Sequence, residues 1–112
     1  MPSAKGASEL TARSLDTATL ITYQKGAVVS MTIIEKDQGT VTLFSFDEGQ
    51  GLSEHTAPYD ALILVLDGEA VVWIAGVKHI VRAGGFIIMP ADEPHSMEAV
   101  QRFKMMLVMI HS

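Results

Sequence analysis

The chain contains no cysteine. That excludes a disulfide framework, a thiolate metal ligand and a thiol nucleophile, and it agrees with a reducing compartment. Aromatic residues make up only 6%, so the core must be built from aliphatic side chains and from some of the seven methionines. Lysine and arginine are few and nowhere clustered, and the net charge is −5. Neither a nucleic-acid partner nor an anionic membrane surface is expected. No run approaches the roughly 18 consecutive apolar residues of a membrane-spanning helix. The N-terminal stretch, in which Lys5, Glu9, Arg13 and Asp16 are scattered among small residues, lacks the charged-then-apolar order of a secretion signal. A cytoplasmic protein is the expectation.

What is present reads as one domain. A chain of 112 residues with 48% hydrophobic content supports a modest core. Residues 1–24 read as an N-terminal arm and 25–112 as a β-domain. The only helix signal runs from Ser14 to Ile21, with Ser14 as the N-cap and Asp16 in the first turn. From Ala27 onward strand follows strand. Ala27–Lys36 and Thr40–Asp47 flank Asp37-Gln38-Gly39, and Ala61–Leu66 and Glu69–Ala75 flank Asp67-Gly68, both connections suited to hairpins. Val77–Arg82, Phe86–Met89, His95–Val100 and Phe103–Ile110 continue the series. Short strands at near-regular spacing predict an all-β sandwich or barrel.

Several of these strands are apolar on both faces. Leu62 to Leu66, Val71 to Ile74 and Met105 to Ile110 show no alternation. A sheet with one buried face needs a polar other face or a cover. A homodimer that buries these strands is the expectation. The alternative is that the arm folds back over its own subunit.

Two histidines stand in glycine- and proline-punctuated settings. Gly49 precedes His55 by five intervening residues, and that segment closes at Gly68. Gly84 precedes Pro90 by five intervening residues, and His95 follows. This pair of ordered motifs, over residues 49–99, resembles the cupin superfamily of double-stranded β-helix (jelly-roll) barrels. The resemblance implies that fold, with a short N-terminal arm or helix. It also implies a site inside the barrel, because in the family two histidines and a glutamate of the first motif, with the histidine of the second, typically hold a divalent metal. Here the second histidine position is Ala57 and the glutamate position is Ala61. The second motif carries Asp92 and Ala99 at its inner glycine and asparagine positions. His55 and His95 are the ligand candidates that remain.

Three readings of the pair stay open. The first is a metal site for Zn, Ni, Fe or Mn on His55 and His95, completed by other donors. Glu54, Tyr59 and Asp60 are near in sequence, and continued strand parity would turn Tyr59, Ala57 and Ala61 the same way as His55, with Glu54 and Asp60 opposed. The second is a metal-free pocket in which the imidazoles hydrogen-bond a small ligand. The third leaves both rings satisfied by neighbours. Phe44, Phe46, Tyr59, Trp73, Met97 and Met105 are the candidates to line such a pocket, with Met31, Ile63 and Val65 as further ones. Alanines at 57 and 61 make the space beside His55 wider and more apolar. The functional expectation is therefore a binding or sensing module for a small, largely apolar organic molecule. The competing class is a metal-dependent oxygenase, isomerase or decarboxylase of the type that cupins house.

Overall fold

A computed structural model describes residues 10–111. The first nine residues of the expected arm lie outside the described residues. One short helix, α1 (Thr17–Leu20), precedes eight strands: β1 (Val28–Lys36), β2 (Gly39–Phe46), β3 (Gly51–His55), β4 (Ala61–Ile74), β5 (Val77–Arg82), β6 (Phe86–Met89), β7 (His95–Glu98) and β8 (Phe103–Ile110). The N-cap of α1 is Asp16, whose carboxylate accepts from the Ala18 amide at 3.0 Å, rather than Ser14. The helix is shorter than the sequence predicts, because Leu15 and Asp16 are spent on its approach and its cap. No helix among the described residues is long and apolar enough to cross a membrane.

The strands form two facing sheets, all pairings antiparallel. In the first, β1 pairs β2, β2 pairs β8, β8 pairs the first half of β4, and β6 pairs that same half. In the second, β3 pairs β7, β7 pairs the second half of β4, and β5 pairs that half. This is an antiparallel jelly roll, as expected. One prediction fails. Asp67-Gly68 makes no hairpin; β4 runs unbroken from Ala61 to Ile74 and passes from one sheet to the other there. Gly68 takes a positive φ of 76°, and a Cβ on it would lie 2.4 Å from the Arg102 carbonyl oxygen. The bend therefore brings the two ends of β4, Ala61 and Ile74, to the same end of the barrel. The tight hairpin is instead Ala75-Gly76, both at positive φ, joining β4 to β5.

The core lies between the sheets. Phe46, Ile63, Val65, Val72, Phe103 and Met105 are enclosed there, and the Phe46 and Phe103 rings stack at 4.5 Å. On the outer face of the first sheet the segment from α1 to Tyr23 folds back. Ser45 Oγ donates to the Thr22 carbonyl at 2.9 Å, Lys104 Nζ donates to the Ala18 carbonyl at 2.8 Å, and the Tyr23 hydroxyl donates to Asp67. This cover explains why Leu43 and Ser45, which alternate with the inward Phe44 and Phe46, are buried as well. It reaches only part of the face. Ile34, Phe86, Ile88 and Ile110 remain exposed.

Candidate functional site

Strand pairing places the two histidines opposite one another. His55 ends β3, His95 begins β7, and the two are direct cross-strand partners, with Ile74 of β4 on the far side of His95. Each ring is held the same way. His55 Nδ1 lies 2.9 Å from the carbonyl of Ser53, and His95 Nδ1 lies 3.2 Å from the carbonyl of Glu93. A carbonyl only accepts, so both Nδ1 atoms carry the proton. The Nε2 atoms point at each other 3.1 Å apart, within hydrogen-bond distance. The rings meet edge-on, with centroids 4.3 Å apart and planes at 71°.

Two imidazole nitrogens at that distance can share one positive centre, a proton or a metal ion. Metal–nitrogen bonds of about 2.0–2.1 Å put two cis imidazole nitrogens roughly 3 Å apart. The other half of the arrangement, each remaining ring N–H given to a carbonyl, is what orients metal-binding imidazoles. His95 is 5% exposed, and burial, with the neighbouring His55, holds its pKa below the ordinary histidine value despite the opposing Glu93 hydrogen bond. His55 is exposed at the rim.

The remaining predicted residues separate. Tyr59 is not on a strand: β3 stops at His55, so alternation does not carry through residues 56–60. Its ring packs on His111, with centroids 4.4 Å apart. Asp60 is committed elsewhere, accepting from the Ala91 amide at 2.8 Å. Met97 faces inward beside Val72 and Leu52, one inward row from His95. Phe44 packs on the rim of the core against Phe46. Phe46 and Met105 are fully enclosed by neighbouring side chains. Trp73 pairs with Ser96 while its neighbour Ile74 pairs with His95, so it stands on the opposite face of the sheet. There its indole donates to Glu98 at 3.1 Å. Met31 pairs with the outward Leu43 and is likewise off the interior. Among the described residues no three His, Asp or Glu side chains gather as a metal set.

Sequence reasoning missed Met89. It is 3% exposed, directly opposite Ala61, and belongs to the same core cluster. Its position just before Pro90, six residues ahead of His95, was the available signal.

The cupin domain family model matches residues 42–111. A structure of a conserved protein of unknown function from Streptococcus pyogenes is 33% identical, with a TM-score of 0.86 over 90% of this chain and 89% of that one. A cupin superfamily protein from Desulfitobacterium hafniense is 31% identical, with a TM-score of 0.86 over 91% of this chain and 94% of that one. A cupin 2 conserved barrel domain protein from Leptotrichia buccalis is 39% identical, with a TM-score of 0.81 over 83% of this chain but only 45% of that longer one. No curated protein matches the chain.

Proposed function

The chain belongs to the cupin family, and from that premise we propose that its working site is the His55–His95 pair, which binds a metal ion that in turn holds a small organic molecule. The observation that carries this reading is the convergence of the two Nε2 atoms at 3.1 Å, each ring fixed through its Nδ1 to a backbone carbonyl. An electron-pair acceptor satisfies both lone pairs at once. The surroundings favour an organic partner of limited polarity, since Ile74, Met97 and Leu52 lie on the inward rows beside the pair.

A second reading is supported by the thin donor set. With alanine at 57 and 61, and Asp60 engaged by Ala91, the imidazoles alone would hydrogen-bond an organic ligand without metal. The two readings divide on metal content. Untagged protein, purified without chelators and dialysed, is expected to retain metal that disappears in the His55→Ala/His95→Ala double variant. Native mass spectrometry showing a bound organic molecule with well under one metal equivalent would replace the first reading by the second. A cupin that retained neither, and whose double variant bound the same compounds as the parent, would contradict both.

A further inference from the structure

The first sheet runs β1, β2, β8, β4, β6, so β8 is its central strand. On the outer face one cross-strand row reads Ile34, Val41, Val108, Leu62, Ile88. That row is aliphatic throughout and close to a palindrome about Val108. The next row toward the histidine end runs from Lys36 at the β1 edge through Gly39 and Ile110 to Asp60. Lys36 and Asp60 both line depressions of this face that they share with Ile110. In the row on the other side, Phe86 ends the β6 edge and Met31 the β1 edge. Beside Met31 a cavity of about 420 Å³ opens between the arm and β1, walled by Leu10, Leu15, Leu20, Ile33 and Ile34. The β1–β2 register slips between Thr32 and Ile34, and that bulge lets both isoleucines reach the cavity.

The two edges of this face are therefore unlike. The β6 edge carries the more than half-exposed Phe86 and Ile88 with Asp60 near them, and the β1 edge carries a cavity and Lys36. Two copies of one face can meet about a two-fold axis in two ways. An axis across the strands lays β1 on β1 and cavity on cavity. An axis along β8 lays β6 of each copy over β1 of the other, at the same height, and packed sheets stay within about 30° of that alignment. Ile88 then meets the partner's Ile34, Leu62 meets the partner's Val41, and Val108 meets its own copy. Phe86 faces the partner's arm cavity. Lys36 approaches the partner's Asp60, which gives only Oδ1 to the Ala91 amide. Five strands about 4.8 Å apart, with eight residues of about 3.3 Å in β2 and β8, project roughly 500 Å². Side-chain relief and the arm walls raise this toward the roughly 800 Å² that each partner gives to a standard interface. We propose that the chain dimerises through this face about an axis along β8, each copy seating Phe86 and Ile88 against the arm and β1 of the other.

The absence of cysteine makes any introduced thiol unique, so the axis is open to cross-linking. Ile34→Cys, Ile88→Cys and Val108→Cys are made singly in the full-length chain, together with the Ile34→Cys/Ile88→Cys double variant. Each is treated with a short bismaleimide and run on a denaturing gel. Within one copy residues 34 and 88 lie four strand spacings apart, about 19 Å, beyond the reach of the reagent. The double variant and Val108→Cys are expected to become covalent dimers almost completely. The single variants at 34 and 88 are expected to stay at monomer size. Circular dichroism and sedimentation equilibrium establish that each variant is folded and dimeric before the reagent is added. Self-linking of Ile34→Cys, with no gain in the double variant, would overturn the axis. A parent that sediments as a monomer at high micromolar concentration, or folded dimers in which no variant links, would overturn the interface itself.

Discussion

His55 and His95 are oriented by the same local device, each imidazole Nδ1 turned back to the carbonyl two residues earlier, Ser53 and Glu93. Because these are direct cross-strand partners, one rule applied twice aims the two Nε2 atoms at one point. The pair is thus preorganised by backbone rather than by other side chains. In metal-free protein at neutral pH, ¹⁵N spectra of the two rings are expected to show the Nδ1–H tautomer for both. Finding Nε2–H on both would mean that the carbonyls do not set the rings.

The bend at Gly68 and the turn at Gly76 share a positive φ but differ in their surroundings. A Cβ at Gly68 would meet the Arg102 oxygen at 2.4 Å, whereas nothing lies within 4 Å at Gly76. Gly76→Ala should cost about 1 kcal/mol, the left-handed penalty alone. Gly68→Ala adds a backbone clash at the passage between sheets and should cost at least about 3 kcal/mol. Urea unfolding of the two variants measures the difference, and equal costs would refute the role given to Gly68.

Tyr23 fastens the arm. Its hydroxyl donates to Asp67, and the Arg102 and Lys104 cations sit over its ring at 4.5 and 4.9 Å. Burial first, then the hydrogen bond and charge of Asp67, push its pKa well above the ordinary tyrosine value. The unfolded chain releases this proton near pH 10 while the folded chain keeps it, so the contribution is present below about pH 10 and is lost as pH rises beyond it. Tyr23→Phe should lower stability at neutral pH by about 1–2 kcal/mol and flatten the alkaline loss. Denaturant midpoints measured from pH 8 to 11 test both parts; a Tyr23→Phe profile parallel to the parent would reject the second.

The outer face of the first sheet carries two fully apolar cross-strand rows. One runs Ile88, Leu62, Val108, Val41, Ile34, and the other Phe86, Leu64, Met106, Leu43, Met31. A depression of about 250 Å³ opens among Asp60, Ala61, Leu62, Ile88, Val108 and Ile110. The described part of the arm covers the Leu43 end and does not reach Ile88. A second copy of the chain is the expected cover for this surface, because no charged side chain interrupts either row. Sedimentation equilibrium is expected to show a dimer that Ile88→Lys dissociates. A parent that stays monomeric at high micromolar concentration contradicts the expectation.

The strand periods and the absence of long helices were enough to read an all-β sandwich or barrel, and the resemblance of the glycine-bounded motifs to cupins narrowed it to a jelly roll and singled out His55 and His95. The misreadings have a common cause. Asp67-Gly68 has hairpin composition, yet the same backbone freedom serves a strand that changes sheets, and only the pairing of Ala61 with Met89 and of Ile74 with His95 tells them apart. Trp73 and Met31 were assigned inward because strands apolar on both faces carry no parity signal. Tyr59 was assigned by carrying parity past the end of β3.

The sequence by itself determined the fold, the lack of any thiol chemistry and the loss of two family donors at Ala57 and Ala61, because these depend on residue identity and local spacing. Only the tertiary structure decided that the two Nε2 atoms converge, with each Nδ1 turned back to a backbone carbonyl. That convergence joins residues far apart in the chain, and it exists only once β3 pairs with β7.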